Sequence, residues 1–130
     1  MNARRRDEAY EKLGAALTRL GEALEHDSSD DLIRDAAIQR FEFTVELFWK
    51  ALKADMQARG KTVGVFPSDT LSSAYQAGWI EDEDAFRAML ADRNVTSHTY
   101  DEKLATQIAG RLGRYYERMR TAHEQHPHFR

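Results

Sequence analysis

Apolar residues recur at steps of three and four along most of this chain, the spacing that lays one stripe on an α-helix. Tyr10, Leu13, Leu17, Leu20 and Leu24 predict a first helix over about Ala3 to Glu25. Asp27, Ser28, Ser29 and Asp30 supply loop and cap residues, and a second helix follows to Arg59, with Gly60 as its C′ residue. The apolar arc of that helix is wide. Phe41, Val45, Phe48, Leu52 and Met56 form one stripe, and Phe43, Leu47 and Trp49 broaden it, as expected of a helix packed between several others or at a subunit boundary. Lys61 to Pro67 is the longest helix-poor connection, and its Thr62, Val63, Val65 and Phe66 give too weak an extended signal for a sheet. Ser68 is placed to cap a short third helix ending at Gly78, and a fourth begins near Asp82 with Phe86, Met89 and Leu90 on its apolar side. A fifth runs from about Tyr100 to Arg120 on the stripe Leu104, Ile108, Leu112, Tyr115 and Met119.

This pattern predicts an all-α, five-helix up-and-down bundle, one domain over residues 1–130 with a polar tail from 121 to 130. The second helix carries more aromatics than one bundle face requires, so a homodimer is expected to cover the surplus.

Composition narrows the functional classes. A chain of 130 residues is long enough to bury roughly two thirds of its unfolded surface. It has no cysteine, which removes disulfides and thiolate metal sites. The basic stretch Met1 to Arg6 leads straight into a charged helical pattern, and no apolar run approaches ~20 residues, so a soluble cytoplasmic protein with no membrane contact is expected. Glycine-rich phosphate loops, nucleophile elbows and HExxH patterns are absent from the sequence, which sets aside nucleoside triphosphate hydrolysis, esterase and zinc-protease chemistry. No cofactor or metal is expected. His123, His126 and His128 are interrupted by Pro127 and fit a polar terminus; Glu42 and Glu46, one helical turn apart, have no histidine at di-metal spacing and are expected to bind arginines or a second subunit.

The net charge of −3, from 22 acidic against 19 basic residues, gives no global pull toward nucleic acid, so any such contact must be local. Arg111, Arg114 and Arg118 lie at helical spacing and admit two readings, a track for RNA phosphates or a solvated helix face.

The candidate chemistry lies in Asp92, Arg93, Asn94, Val95, Thr96, Ser97, His98, Thr99 and Tyr100. Arginine presents a planar fork of donors to phosphate oxygens, and histidine exchanges protons near neutral pH. Together they suit cleavage of RNA by its own 2′-hydroxyl without a metal. Residues five apart on an ideal helix point about 140° away from each other. Either the helix breaks between Arg93 and His98, or the two face a cleft completed by another subunit. Thr99 followed by Glu102 fits a capping box and favours the break, with a new helix from about Tyr100.

The string from Asp92 to Glu102, with Arg, four residues, His, one residue and Tyr at its centre, resembles the signature of HEPN domains. The likeness is to the nucleotidyltransferase substrate-binding branch, and it extends over Gln39 to Lys53 and Phe66 to Ile80, though Ser68, Ala85 and Phe86 depart from the pattern. The resemblance implies a homodimer that brings both motif copies to one cleft, and a minimal nucleotidyltransferase partner in a heterotetramer or larger assembly. It also implies catalytic roles for Arg93 and His98, and Tyr100 as acceptor of adenylyl groups. Asn94, Ser97 and Thr99 are expected as turn, cap and cleft-lining residues, and Asp92 as the residue that orients Arg93. Two functions follow: a metal-independent endoribonuclease toxin of a toxin–antitoxin pair, or a non-catalytic subunit that binds substrate or nucleotide for the nucleotidyltransferase. RNA or a nucleotide is the expected ligand.

Overall fold

The structure is a computed structural model that describes residues 2–98 and 101–125, leaving aside the side chains of Asn2 and His98. Among these residues all regular structure is helical: α1 (Asn2–Leu24), α2 (Asp31–Ala58), α3 (Pro67–Gln76), α4 (Glu83–His98), α5 (Glu102–Ala109) and α6 (Leu112–Gln125). None of these helices is long and apolar enough to cross a membrane.

Helix α2 is the axis of the bundle and packs against each of the other five. Its start is set by Asp30, whose carboxylate accepts from the backbone N–H of Leu32 and Ile33, satisfying donors that the first turn leaves over. Its end is set by Gly60, whose φ of 78° is the left-handed conformation that only glycine adopts without strain. The predicted stripe is the core: Phe41, Val45, Phe48, Leu52 and Met56 are all buried, as are Leu13, Leu17 and Leu20 on α1. Of the broadening residues, Leu47 and Trp49 are half-buried and Phe43 stands 62% exposed.

Paired contacts give the direction of each helix. Arg40 Nη1 donates to the Arg19 carbonyl at 2.7 Å, while Arg6 reaches Asp55 at 4.0 Å, so α1 and α2 run antiparallel. His123 stacks on Tyr10 at 4.0 Å between ring centroids, docking the end of α6 on the start of α1. Buried Arg34 ties α2 to α5 through Glu102 at 3.8 Å and the Thr106 hydroxyl at 3.4 Å.

Six helices stand where five were expected, because the fifth breaks at Gly110 and Arg111. Gly110 N–H still reaches the Thr106 carbonyl, but Arg111 N–H bonds to Ile108, three residues back, at 2.8 Å, and the ladder restarts with Tyr115 on Arg111. Gly110 and Gly113 weaken the helix on both sides of this tight turn. Ile108 and Leu112 flank it and are both fully buried, so the apolar stripe passes through the break unchanged.

Helix ends differ from expectation in four places. Pro67, not Ser68, opens α3 at its first helical position, and the Asp69 carboxylate accepts from Phe66 N–H at 3.1 Å. Asp101 caps α5, accepting from Lys103 and Leu104 N–H at 2.9 and 3.2 Å; Thr99, the expected cap, and Tyr100 lie outside the described residues. Helix α4 does not break between Arg93 and His98 but continues to His98. Helix α6 reaches Gln125, into the stretch expected as a polar tail, with Ala122 buried.

Candidate functional site

Two acidic residues one turn apart on α2 meet two motif residues one turn apart on α4. Arg93 Nη2 donates to Glu46 Oε2 at 2.9 Å. One turn on, the Ser97 hydroxyl lies 2.7 Å from Glu42 Oε2 and 2.9 Å from the Arg93 carbonyl. The antiparallel packing of α2 and α4 makes this register possible, and the spacing of four in both helices repeats it. Glu46 thus takes the arginine partner expected of it.

The guanidinium of Arg93 is fixed from two sides. Its Nη1 donates to Asn94 Oδ1 at 3.2 Å, while Glu46 holds Nη2; both Arg93 and Glu46 side chains are 30% exposed. Its Nε is buried and has no hydrogen-bond partner among the described residues. Buried donors are nearly always paired; sealed from solvent, this one meets a ligand only if the guanidinium moves. Glu46 collects further groups: Trp49 Nε1 donates to Oε2 at 3.1 Å and Lys50 Nζ lies 3.3 Å from Oε1. Burial pushes the Glu46 carboxyl up, but the Trp49 hydrogen bond and the charges of Arg93 and Lys50 outweigh it and hold the group below its ordinary value.

The remaining motif residues separate. Asp92 faces α6, not Arg93: Arg111 reaches it with Nε at 3.0 Å and Nη2 at 3.2 Å, and the Tyr115 hydroxyl donates to it at 2.6 Å. Burial, then the hydrogen bond to Asp92, push the Tyr115 phenol up to about 12. Arg114 and Arg118 both sit on Asp82, at 3.0 and 3.3 Å. The three arginines that admitted either an RNA track or a solvated helix face are therefore each held by a carboxylate within the chain. His98 closes α4, and its side chain, like Thr99 and Tyr100, lies outside the described residues. Among the histidines suggestive of a metal, His123 is stacked on Tyr10, and His126 and His128 lie outside the described residues. No cluster of three or more His, Asp or Glu side chains suited to a metal occurs among the described residues.

Glu46 was expected only as an arginine partner, and Trp49 and Lys50 were not anticipated beside it. The signal was present in their spacing: a carboxylate, an indole and an ammonium within one turn, on a helix whose core stripe is complete without them.

An all-helical bundle that presents an Arg-x4-His motif at the end of one helix, backed by acidic residues of another, defines the class. The chain belongs to the family described as nucleotidyltransferase substrate binding protein like, which matches residues 8–127. A Haemophilus influenzae protein named probable ribonuclease HepT is 29% identical over 114 residues, covering 82% of this chain and 78% of that one. A crystal structure of a protein from Thermus thermophilus superimposes with a TM-score of 0.79 at 37% identity, covering 85% of this chain and 94% of that one.

Proposed function

We propose that this chain is a metal-independent endoribonuclease of HEPN type, the toxin of a toxin–antitoxin pair, which a partner minimal nucleotidyltransferase silences by adenylylating Tyr100. The family and the relative named as a probable ribonuclease support the class. The observation that carries the reading is Arg93, braced by Glu46 and Asn94 with its side chain 30% exposed, five residues before His98 on the same helix.

In this mechanism His98 takes the proton of a 2′-hydroxyl, whose oxygen attacks the adjacent phosphorus. Arg93 stabilises the negative charge that builds on the phosphorane oxygens. The 5′-oxygen leaves with the proton that the His98 imidazolium gives up, so the histidine returns to its neutral form and a 2′,3′-cyclic phosphate remains. Positions five apart on a continuous helix lie about 140° apart around its axis, and in this reading the working cleft is assembled from the α4 helices of two copies. An adenylyl group on Tyr100 adds a phosphate charge and bulk beside His98, which repels RNA.

The family description supports a second reading, a subunit that binds substrate for the nucleotidyltransferase without cleaving RNA. Incubation with RNA in chelator separates the two. Wild-type protein cleaves, and Arg93→Ala and His98→Ala lose about 10²-fold or more in rate while keeping the helical circular dichroism of the bundle. Equal cleavage by all three proteins rejects the ribonuclease reading. No cleavage by any, with tight binding to a minimal nucleotidyltransferase, establishes the binding subunit.

A further inference from the structure

Trp49 and Arg93 share one carboxylate oxygen. The indole Nε1 donates to Glu46 Oε2 at 3.1 Å and Arg93 Nη2 to the same atom at 2.9 Å, so an aromatic ring and the motif cation are linked by a single atom. Glu46, Trp49, Lys50 and Lys53 occupy one face of α2, at spacings that bring them together on a helix. The ammonium groups of Lys50 and Lys53 each lie 5.9 Å from the Trp49 ring centroid, within reach of a cation–π attraction.

Trp49 has little reason to be at this place for packing. Phe48, beside it in sequence, is the buried member of the core and stacks on Phe86 at 5.1 Å. Trp49 keeps part of its ring in solvent, with its edge fixed by Glu46 and two long cations beside it. A base stacks on such a ring whatever its identity, while neighbouring cations take the backbone phosphates, which is how single strands are held without sequence preference. The Arg111, Arg114 and Arg118 surface is less suited, since all three guanidinium groups are already paired with Asp92 or Asp82. Lys53, in contrast, pairs with no carboxylate among the described residues.

We propose that Trp49, Lys50 and Lys53 form the track by which single-stranded RNA reaches Arg93, a base stacking on the Trp49 indole as the lysines move from the ring to the phosphates on either side. The proposal rests on the ribonuclease reading for the role of Arg93, and its test is a binding measurement that does not need cleavage.

The Trp79→Phe protein retains Trp49 as its sole tryptophan, and thermal melting verifies its fold. A short single-stranded 2′-O-methyl oligoadenylate, which has no free 2′-hydroxyl to react, is titrated at low salt. The expected result is saturable quenching of Trp49 emission. By anisotropy of a labelled oligomer, Trp49→Ala weakens binding about tenfold and Trp49→Phe much less. Lys50→Glu with Lys53→Glu flattens the log-affinity against log-salt slope by about 1.4, two phosphate contacts on a single strand. Arg114→Ala with Arg118→Ala leaves both quantities unchanged. Unquenched Trp49 at saturating oligomer, or equal affinity of Trp49→Ala and wild type, overturns the track. Cleavage by wild type without quenching rejects the track alone, whereas quenching without cleavage rejects the ribonuclease reading and keeps the track.

Discussion

The hydroxyl of Tyr115 donates to Asp92 at 2.6 Å and so fastens α6 to the residue immediately before Arg93. Tyr115 also stacks on Phe41 at 5.5 Å, and Asp92 is only 13% exposed, so this bond spans the boundary between the core and the motif helix. Tyr115→Phe keeps the ring and removes the donor. A hydrogen bond to a charged group contributes about 1.5–3 kcal/mol, and Arg111 remains to serve Asp92, so a loss near the lower figure is expected. Urea unfolding of the two proteins measures it as a shift in midpoint at constant slope.

The same phenol makes stability fall in alkali. Its pKa is near 12 in the folded chain and near 10 when unfolded. Since the folded value is raised, its contribution is complete below about pH 10 and disappears as the pH climbs toward 12. The wild type therefore loses more stability than Tyr115→Phe between those values. Melting temperatures across this window, compared between the two, reveal the difference; parallel curves would show that neither burial nor Asp92 raises the phenol.

Glu46→Gln keeps the shape of the α2 side chain and removes the charge that braces Arg93. A pair of this exposure contributes about 1 kcal/mol or less to stability, so the fold survives; on the ribonuclease reading, RNA cleavage drops because the guanidinium loses its fixed aim. The pH dependence has a definite sign. Glu46 titrates below its ordinary value, so wild type is the more stable protein above the carboxylate range, and its advantage over Glu46→Gln is lost as the pH falls through the folded pKa. Acid unfolding of both proteins tests this.

Gly64→Ala should disturb the entry to α3. A Cβ at Gly64 would come within 2.5 Å of Asp69 Oδ2 and 2.7 Å of Asp69 Cβ. Asp69 is the residue that accepts from Phe66 N–H, so the added methyl displaces a cap. A loss of about 1 kcal/mol is expected, with hydrogen exchange accelerated in the first turn of α3 before any change elsewhere.

Helix positions and core were legible in the sequence because both depend on a period of 3.6, and Phe41, Val45, Phe48, Leu52 and Met56 keep that period throughout. The break at Gly110 was not, since Ile108 and Leu112 preserve the stripe on either side and only the Arg111 hydrogen bond departs from it. The end of α4 was misread for a local reason. Thr99 and Glu102 carry a capping pattern, yet Asp101 between them caps α5, accepting from Lys103 and Leu104 N–H. Partners of the motif followed the same logic. Glu46 carried a hint in its spacing from Glu42, whereas the pairing of Asp92 with Arg111 and Tyr115 depends on how α6 leaves the kink, which no local pattern records.

The uninterrupted course of α4 has a consequence for mixtures. On the two-copy reading, Arg93→Ala and His98→Ala proteins are each inert, but a hybrid of the two owns one whole arginine–histidine couple. Refolded together in equal amounts, about half of random pairs are hybrids with one working site of two, restoring about a quarter of full turnover. Inactivity would be mended by adding a second inactive protein, and lost again when dilution separates the halves.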